Sequence, residues 1–100
     1  MKKLDHAETE RIEDFVQQLI ALEKRNDERT YGGDPRDMRM RQLEDPSDAL
    51  IAEAAAIGSL LRSRNIDAPE LAAFIGDPTG HGLRKLQVEL REIESTHGIE

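Results

Sequence analysis

The sequence predicts an all-α fold: a small helical bundle of about five helices, two long, one central and Ala-rich, and two short, in a single domain spanning residues 1–100. Three observations predict it. Apolar residues recur at helical spacing in long stretches, as in Ile12, Phe15, Val16 and Leu19, and again in Leu83, Leu86, Leu90 and Ile93. The dipeptide Asp-Pro occurs at Asp34-Pro35, Asp45-Pro46 and Asp77-Pro78. An Asp can accept bonds from the free N–H groups of a starting helix, and a Pro at the first helical position has no N–H to waste. Finally, the only aromatics are Phe15, Tyr31 and Phe74, so the core is aliphatic, rich in Leu, Ile and Ala.

The first helix is expected from about Asp5 to Arg29. Asp5-His6-Ala7-Glu8 has the spacing of a capping box, with Asp in place of Ser or Thr. Ile12, Phe15, Val16, Leu19, Ile20 and Leu22 form its apolar face, whereas Glu23 to Arg29 is charged nearly all round and is expected to project into water. Thr30-Tyr31-Gly32-Gly33 ends it, because paired glycines leave helix geometry easily. Asp34-Pro35 then opens a short helix through about Leu43, in which Met38, Met40 and Leu43 are interleaved with Arg36, Arg39 and Arg41.

Asp45-Pro46-Ser47-Asp48 restarts the chain, and the central helix is expected from about Pro46 to Ser63. Leu50, Ile51, Ala54, Ile57 and Leu61 share one face, widened by Ala52, Ala55 and Ala56. Gly58 inside this helix costs on the order of 1 kcal/mol relative to Ala, which fits a close approach by another helix. Asn65 is the expected stop. Asp67-Ala68-Pro69-Glu70 starts a short helix through Ile75, with Asp67 capping, Glu70 reaching back, and Gly76 ending it. Asp77-Pro78-Thr79-Gly80 is a turn. Thr79 is the expected cap of the final helix, which runs from about His81 to Thr96 or His97 and stops at Gly98. Leu83, Leu86, Leu90 and Ile93 give it a seam suited to packing on another helix.

Cysteine is absent, which excludes disulfides, thiolate chemistry and Cys-ligated zinc. The two lysines at the start are followed by no apolar run of the signal-peptide kind, and no stretch approaches the ~20 apolar residues that span a bilayer, so a cytoplasmic protein with no membrane association is expected. The formal net charge is −7. Acids concentrate at Asp5, Glu8, Glu10, Glu13 and Asp14, at Glu44, Asp45, Asp48 and Glu53, and at Glu89, Glu92 and Glu94. That balance opposes direct nucleic-acid binding and favours basic partners.

No constellation of catalytic residues stands out. A carboxylate-bridged metal pair needs two Glu-x-x-His units; Glu94-Ser95-Thr96-His97 supplies one, with His6 and Glu10 a turn apart near the other end. The serines lack a nucleophile elbow, and Gly32-Gly33 and Gly80-His81-Gly82 are too short for a phosphate loop. The sequence thus implies no enzyme, no cofactor and no metal. A helix-turn-helix is the competing reading: Leu71, Ala72 and Gly76 fit its first helix and turn, with Thr79, His81, Arg84 and Lys85 facing bases, as in a dimeric DNA-binding regulator or antitoxin. The crowded Pro78–Gly80 turn and the acidic balance oppose it.

The segment around Tyr31 to Arg41 is the strongest candidate for contact with another protein. It holds the only tyrosine, a Gly-Gly hinge and three arginines, and Tyr and Arg are enriched at interface hot spots. The expected protein-binding residues are Tyr31, Asp34, Arg36, Asp37, Arg39, Glu44, Asp45 and Asp48. The leading expectation is a small acidic, non-enzymatic inhibitor or regulator. It would cover a partner surface, such as the basic face of a nucleic-acid-handling protein, by standing where phosphates stand. Phage anti-defence proteins work in this manner; the analogy is one of size and charge. A helical assembly or scaffold subunit, homodimeric along the first helix, is a further alternative.

Overall fold

A computed structural model describes residues 3–31, 44–80 and 82–98, with the side chains of 28–31 outside the description. Among the described residues the fold is all-α. Four helices follow one another: α1 (His6–Tyr31), α2 (Asp48–Ser63), α3 (Pro69–Gly76) and α4 (Leu83–His97). The short helix expected at 34–43 lies outside the described residues.

The predicted capping box opens α1. The Asp5 N–H donates to Glu8 Oε1 (2.9 Å) and the Glu8 N–H donates to Asp5 Oδ1 (2.8 Å). Ile12, Phe15, Val16, Leu19 and Leu22 are buried, as their spacing requires, and Ile20 packs half-buried at the edge. The tail differs from expectation. Asn26 is only 4% exposed and Glu23 is half-buried, because the 44–47 segment and α4 fold back over this part of the helix.

The Asp-Pro rule fails at both described pairs. α2 starts at Asp48 with Ser47 as N-cap, its hydroxyl accepting from the Leu50 N–H (3.1 Å). Asp45-Pro46 lies just before that cap, and Asp77-Pro78 starts no helix but lies in the turn expected at 77–80, between α3 and α4. Leu50, Ala54, Ile57 and Leu61 form the buried face of α2, while Ala52 and Ala55 face solvent. Asn65 does stop α2: it adopts a left-handed φ of 58°, and the N–H groups of Asn65 and Ile66 donate to the Arg62 and Leu61 carbonyls (3.1 and 2.9 Å). That is a Schellman turn, sealed by burial of Ile66.

α3 is not capped by Asp67. Its N-cap is Ala68, Pro69 stands at the first position, and no local side chain bonds the free N–H groups. Instead Glu89 of α4 accepts from the Glu70 and Leu71 N–H groups (3.0 and 2.9 Å). Nor does Thr79 cap α4: the N-cap is Gly82, at a φ of 71° that favours glycine, and the helix begins at Leu83. Gly98 ends it as expected, its N–H donating to the Glu94 carbonyl (2.9 Å).

The most extensive packing joins α1 and α4, so this antiparallel pair, and not α2, is the spine. The seam Leu83, Leu86, Leu90 and Ile93 is buried against the α1 face. The apolar face of α1 is therefore buried within the chain. Phe15 and Phe74 meet edge to face, centroids 6.5 Å apart, where α3 closes over α1. Gly58 has the role its position suggested, in a limited form. A Cβ there would sit 2.9 Å from Ile75 Cδ1, so glycine makes room for a side-chain tip of α3, not for its backbone.

Candidate functional site

Of the eight residues expected to contact a partner, the Tyr31 side chain and Asp34, Arg36, Asp37 and Arg39 lie outside the described residues. Glu44, Asp45 and Asp48 are placed together where the chain returns from α1 to α2, and their roles differ.

Glu44 is an anchor. Its N–H donates to Asn26 Oδ1 (2.7 Å) and its carbonyl accepts from Asn26 Nδ2 (3.2 Å). An amide offers one acceptor and two donors, so a buried Asn can clasp one backbone residue through both its polar groups. The Glu44 carboxylate also takes a forked pair of bonds from Arg25, the shortest 2.7 Å from Nη2. The clasp fixes the point from which Asp45, Pro46 and Ser47 lead into α2. Asn26 was missed by sequence reasoning because it stands in a charged stretch; the one signal was a lone neutral polar residue between Arg25 and Asp27.

Asp45 and Asp48 are exposed and form no ion pair among the described residues. Asp48 lies in the first turn of α2, where negative charge suits the helix dipole. Asp27, also exposed, is the next residue along α1 from the clasp. These three carboxylates make an acidic rim at one end of the fold.

Part of the remaining acidity is neutralised by ion pairs at the surface between elements of the fold. Glu8 pairs with Arg64 (2.6 Å), Glu53 with Arg11 (2.7 Å), and Glu23 with Arg84 (3.4 Å). The guanidinium bonds hold the Glu8 and Glu53 carboxyls below the usual carboxylate value of 4.5. Glu89 is spent on α3. The patches visible in the sequence are thus partly structural.

A second constellation joins residues from both long helices. His6, Thr9, Glu10 and Glu13 of α1, with Arg91, Glu94 and Ser95 of α4, line an open groove of about 680 Å³. Glu13 and Glu94 face each other there, and ionising both carboxyls at once is disfavoured. Burial, then the bond and charge of Glu13, push Glu94 up to about 7. Glu13 is held low by the Gln17 amide (2.8 Å), by its bond to Glu94 and by Arg91 (3.4 Å). His6 stands 3.9 Å from Glu10. No group of three or more metal-ligating side chains gathers among the described residues.

Among the residues of the helix-turn-helix reading, Arg84 faces the Glu23 carboxylate, Lys85 is exposed, Thr79 is half-buried, and His81 lies outside the described residues. No helix among the described residues is long and apolar enough to cross a membrane. No known family model, curated protein or solved structure matches the chain.

Proposed function

We propose that this chain is a single-domain, non-catalytic, cytoplasmic protein-binding module that covers a basic surface of a partner, with Asp27, Asp45 and Asp48 as part of its contact. One observation carries the reading. Among the described residues five arginines, Arg11, Arg25, Arg64, Arg84 and Arg91, are paired with five glutamates of the same chain. Such pairs cancel equal charge, so the net −7 falls on the rest of the chain, and at the rim it stands on exposed carboxylates that form no ion pair among the described residues. The Asn26–Glu44 clasp holds that rim in place, which reduces the ordering cost of binding. A surface that normally holds nucleic-acid phosphates is the natural complement, because rows of carboxylates and of phosphates present similar fields to Lys and Arg.

Affinity purification from the native host followed by mass spectrometry identifies the partner, and a salt series tests the mode of binding. Affinity falls as salt rises, since exposed charges are screened beyond about 8–10 Å at physiological ionic strength. The double change Asp45→Lys with Asp48→Lys abolishes capture while helical content stays unchanged. A partner held equally well by that variant and indifferent to salt would end the proposal.

A further inference from the structure

The surface opens between the C-terminal half of α2 and the whole of α3 into a second, different groove of about 410 Å³. Leu61, Ile66 and Leu71 form its buried floor. Its walls are small or half-exposed: Gly58 on α2, Ala68, Ala72 and Ile75 at α3. The volume lies in the range of roughly 300–1,000 Å³ that accepts apolar groups of a ligand. The floor residues stay buried, and the apolar surface the groove offers comes from its walls: Pro69 and Ala72 are exposed, and Ala68 and Ile75 half-exposed.

Charge says which occupant fits. Asp67 lines the groove, Glu70 is exposed one helical position beyond Pro69, and neither carboxylate is ion-paired among the described residues. Arg62 is the one cation in the lining, and the nearby Arg64 is drawn away to Glu8. A second copy of this chain is a poor occupant, because it brings another net −7 to an already acidic rim.

We infer that the α2–α3 groove docks an amphipathic helix of a partner protein, with apolar anchors in the groove and Lys or Arg beside Asp67 and Glu70. This rests on the reading of the chain as a protein-binding module and adds the docking face and the chemistry that faces it. Anchors one turn apart on such a helix would lie along the groove above Leu61 and Leu71, and the basic flank would supply the cations that Asp67 and Glu70 lack.

The test uses the full chain, labelled with ¹⁵N, and a synthetic helical peptide with Leu at heptad spacing and Lys on the flanks. Amide shifts are expected at Gly58, Leu61, Ala72 and Ile75. The same peptide with Glu in place of Lys binds at least about tenfold more weakly, a gap of about 1.4 kcal/mol. Ala72→Arg fills and charges the wall at an exposed helical position and lowers Lys-peptide affinity about tenfold, with circular dichroism unchanged. Asp67→Asn with Glu70→Gln lowers it about threefold and flattens its salt dependence. The inference is overturned by no shift at those amides with millimolar Lys peptide, by equal binding of the Glu peptide, or by a folded Ala72→Arg variant that binds like the parent. If the Asp45/Asp48 variant still loses its native partner while the groove fails these tests, the docking site falls and the binding-module reading survives.

Discussion

α2 starts on its own residue and α3 on a borrowed one. Ser47 caps α2 from the position directly before it, whereas the first N–H groups of α3 are satisfied by Glu89, from a helix that begins well after α3 has ended. Both devices answer the same need, since the opening N–H groups of any helix have no partner within it. They differ in what they require. A Ser cap forms as soon as the local chain turns, while the Glu89 cap exists only once α3 and α4 have docked. The first turn of α2 can therefore form before the helices dock, whereas α3, at 8 residues, depends on docking for its start.

The largest test of this contrast is Glu89→Ala. It removes two charge-assisted bonds and leaves the partly buried Leu71 N–H without an acceptor, which costs about 2–3 kcal/mol by urea unfolding. Glu89→Gln keeps one good acceptor and falls between that variant and the parent. Hydrogen exchange separates the two helices further: Glu89→Ala speeds exchange in α3 and leaves α2 near its original protection.

Next in size is Glu94→Gln, five positions further along α4, where a carboxyl meets another carboxyl instead of N–H groups. The folded chain binds the Glu94 proton more tightly than the unfolded chain does. Stability is thus fullest below the ordinary value of 4.5 and declines as pH climbs to about 7. Glu8, Glu13 and Glu53 act in the opposite sense: held low, they lose their contribution as pH falls below 4.5. Stability therefore peaks near about pH 5. Glu94→Gln raises the free energy of unfolding at about pH 8, by an amount on the order of 1–2 kcal/mol after screening, and changes little at about pH 5. Equal effects at both pH values would show that Glu94 carries no special proton.

Ser47→Ala comes third, with a loss of about 1 kcal/mol confined to the start of α2, read by exchange at Leu50. The smallest effect is Asp67→Ala. Sequence logic makes it the cap of α3, but the structure gives it no such bond, so unfolding shifts by less than about 0.5 kcal/mol. A loss as large as that of Ser47→Ala would show that α3 has a local cap after all.

Legibility follows the same division. Features written within a few neighbouring residues were readable: the Asp5/Glu8 box, the buried stripe of α1, the Leu83–Ile93 seam, and the stops at Asn65 and Gly98. The Asp-Pro pairs misled because Ser47 outcompetes Asp45 for the α2 N–H groups, and because a Pro after a helix reads the same as a Pro opening one. The Glu89 cap, the Asn26 clasp and the Glu13–Glu94 pair join residues far apart in the chain, and no local spacing encodes them. The acidic patches were visible as composition. Which of their members are ion-paired among the described residues depended on where five arginines came to rest.

The Leu4 N–H donates to the His97 carbonyl (2.9 Å), and Leu4 and Gly98 lie in a parallel bridge. Residues at opposite extremes of the described chain are thus stitched side by side, and a short linker across them would bridge only a small gap. A circular permutant sealed there and opened between Asp77 and Gly80 would keep all four helices whole. The same closeness would let the whole bundle be spliced as an insert into a surface loop of another protein, entering and leaving through one narrow neck.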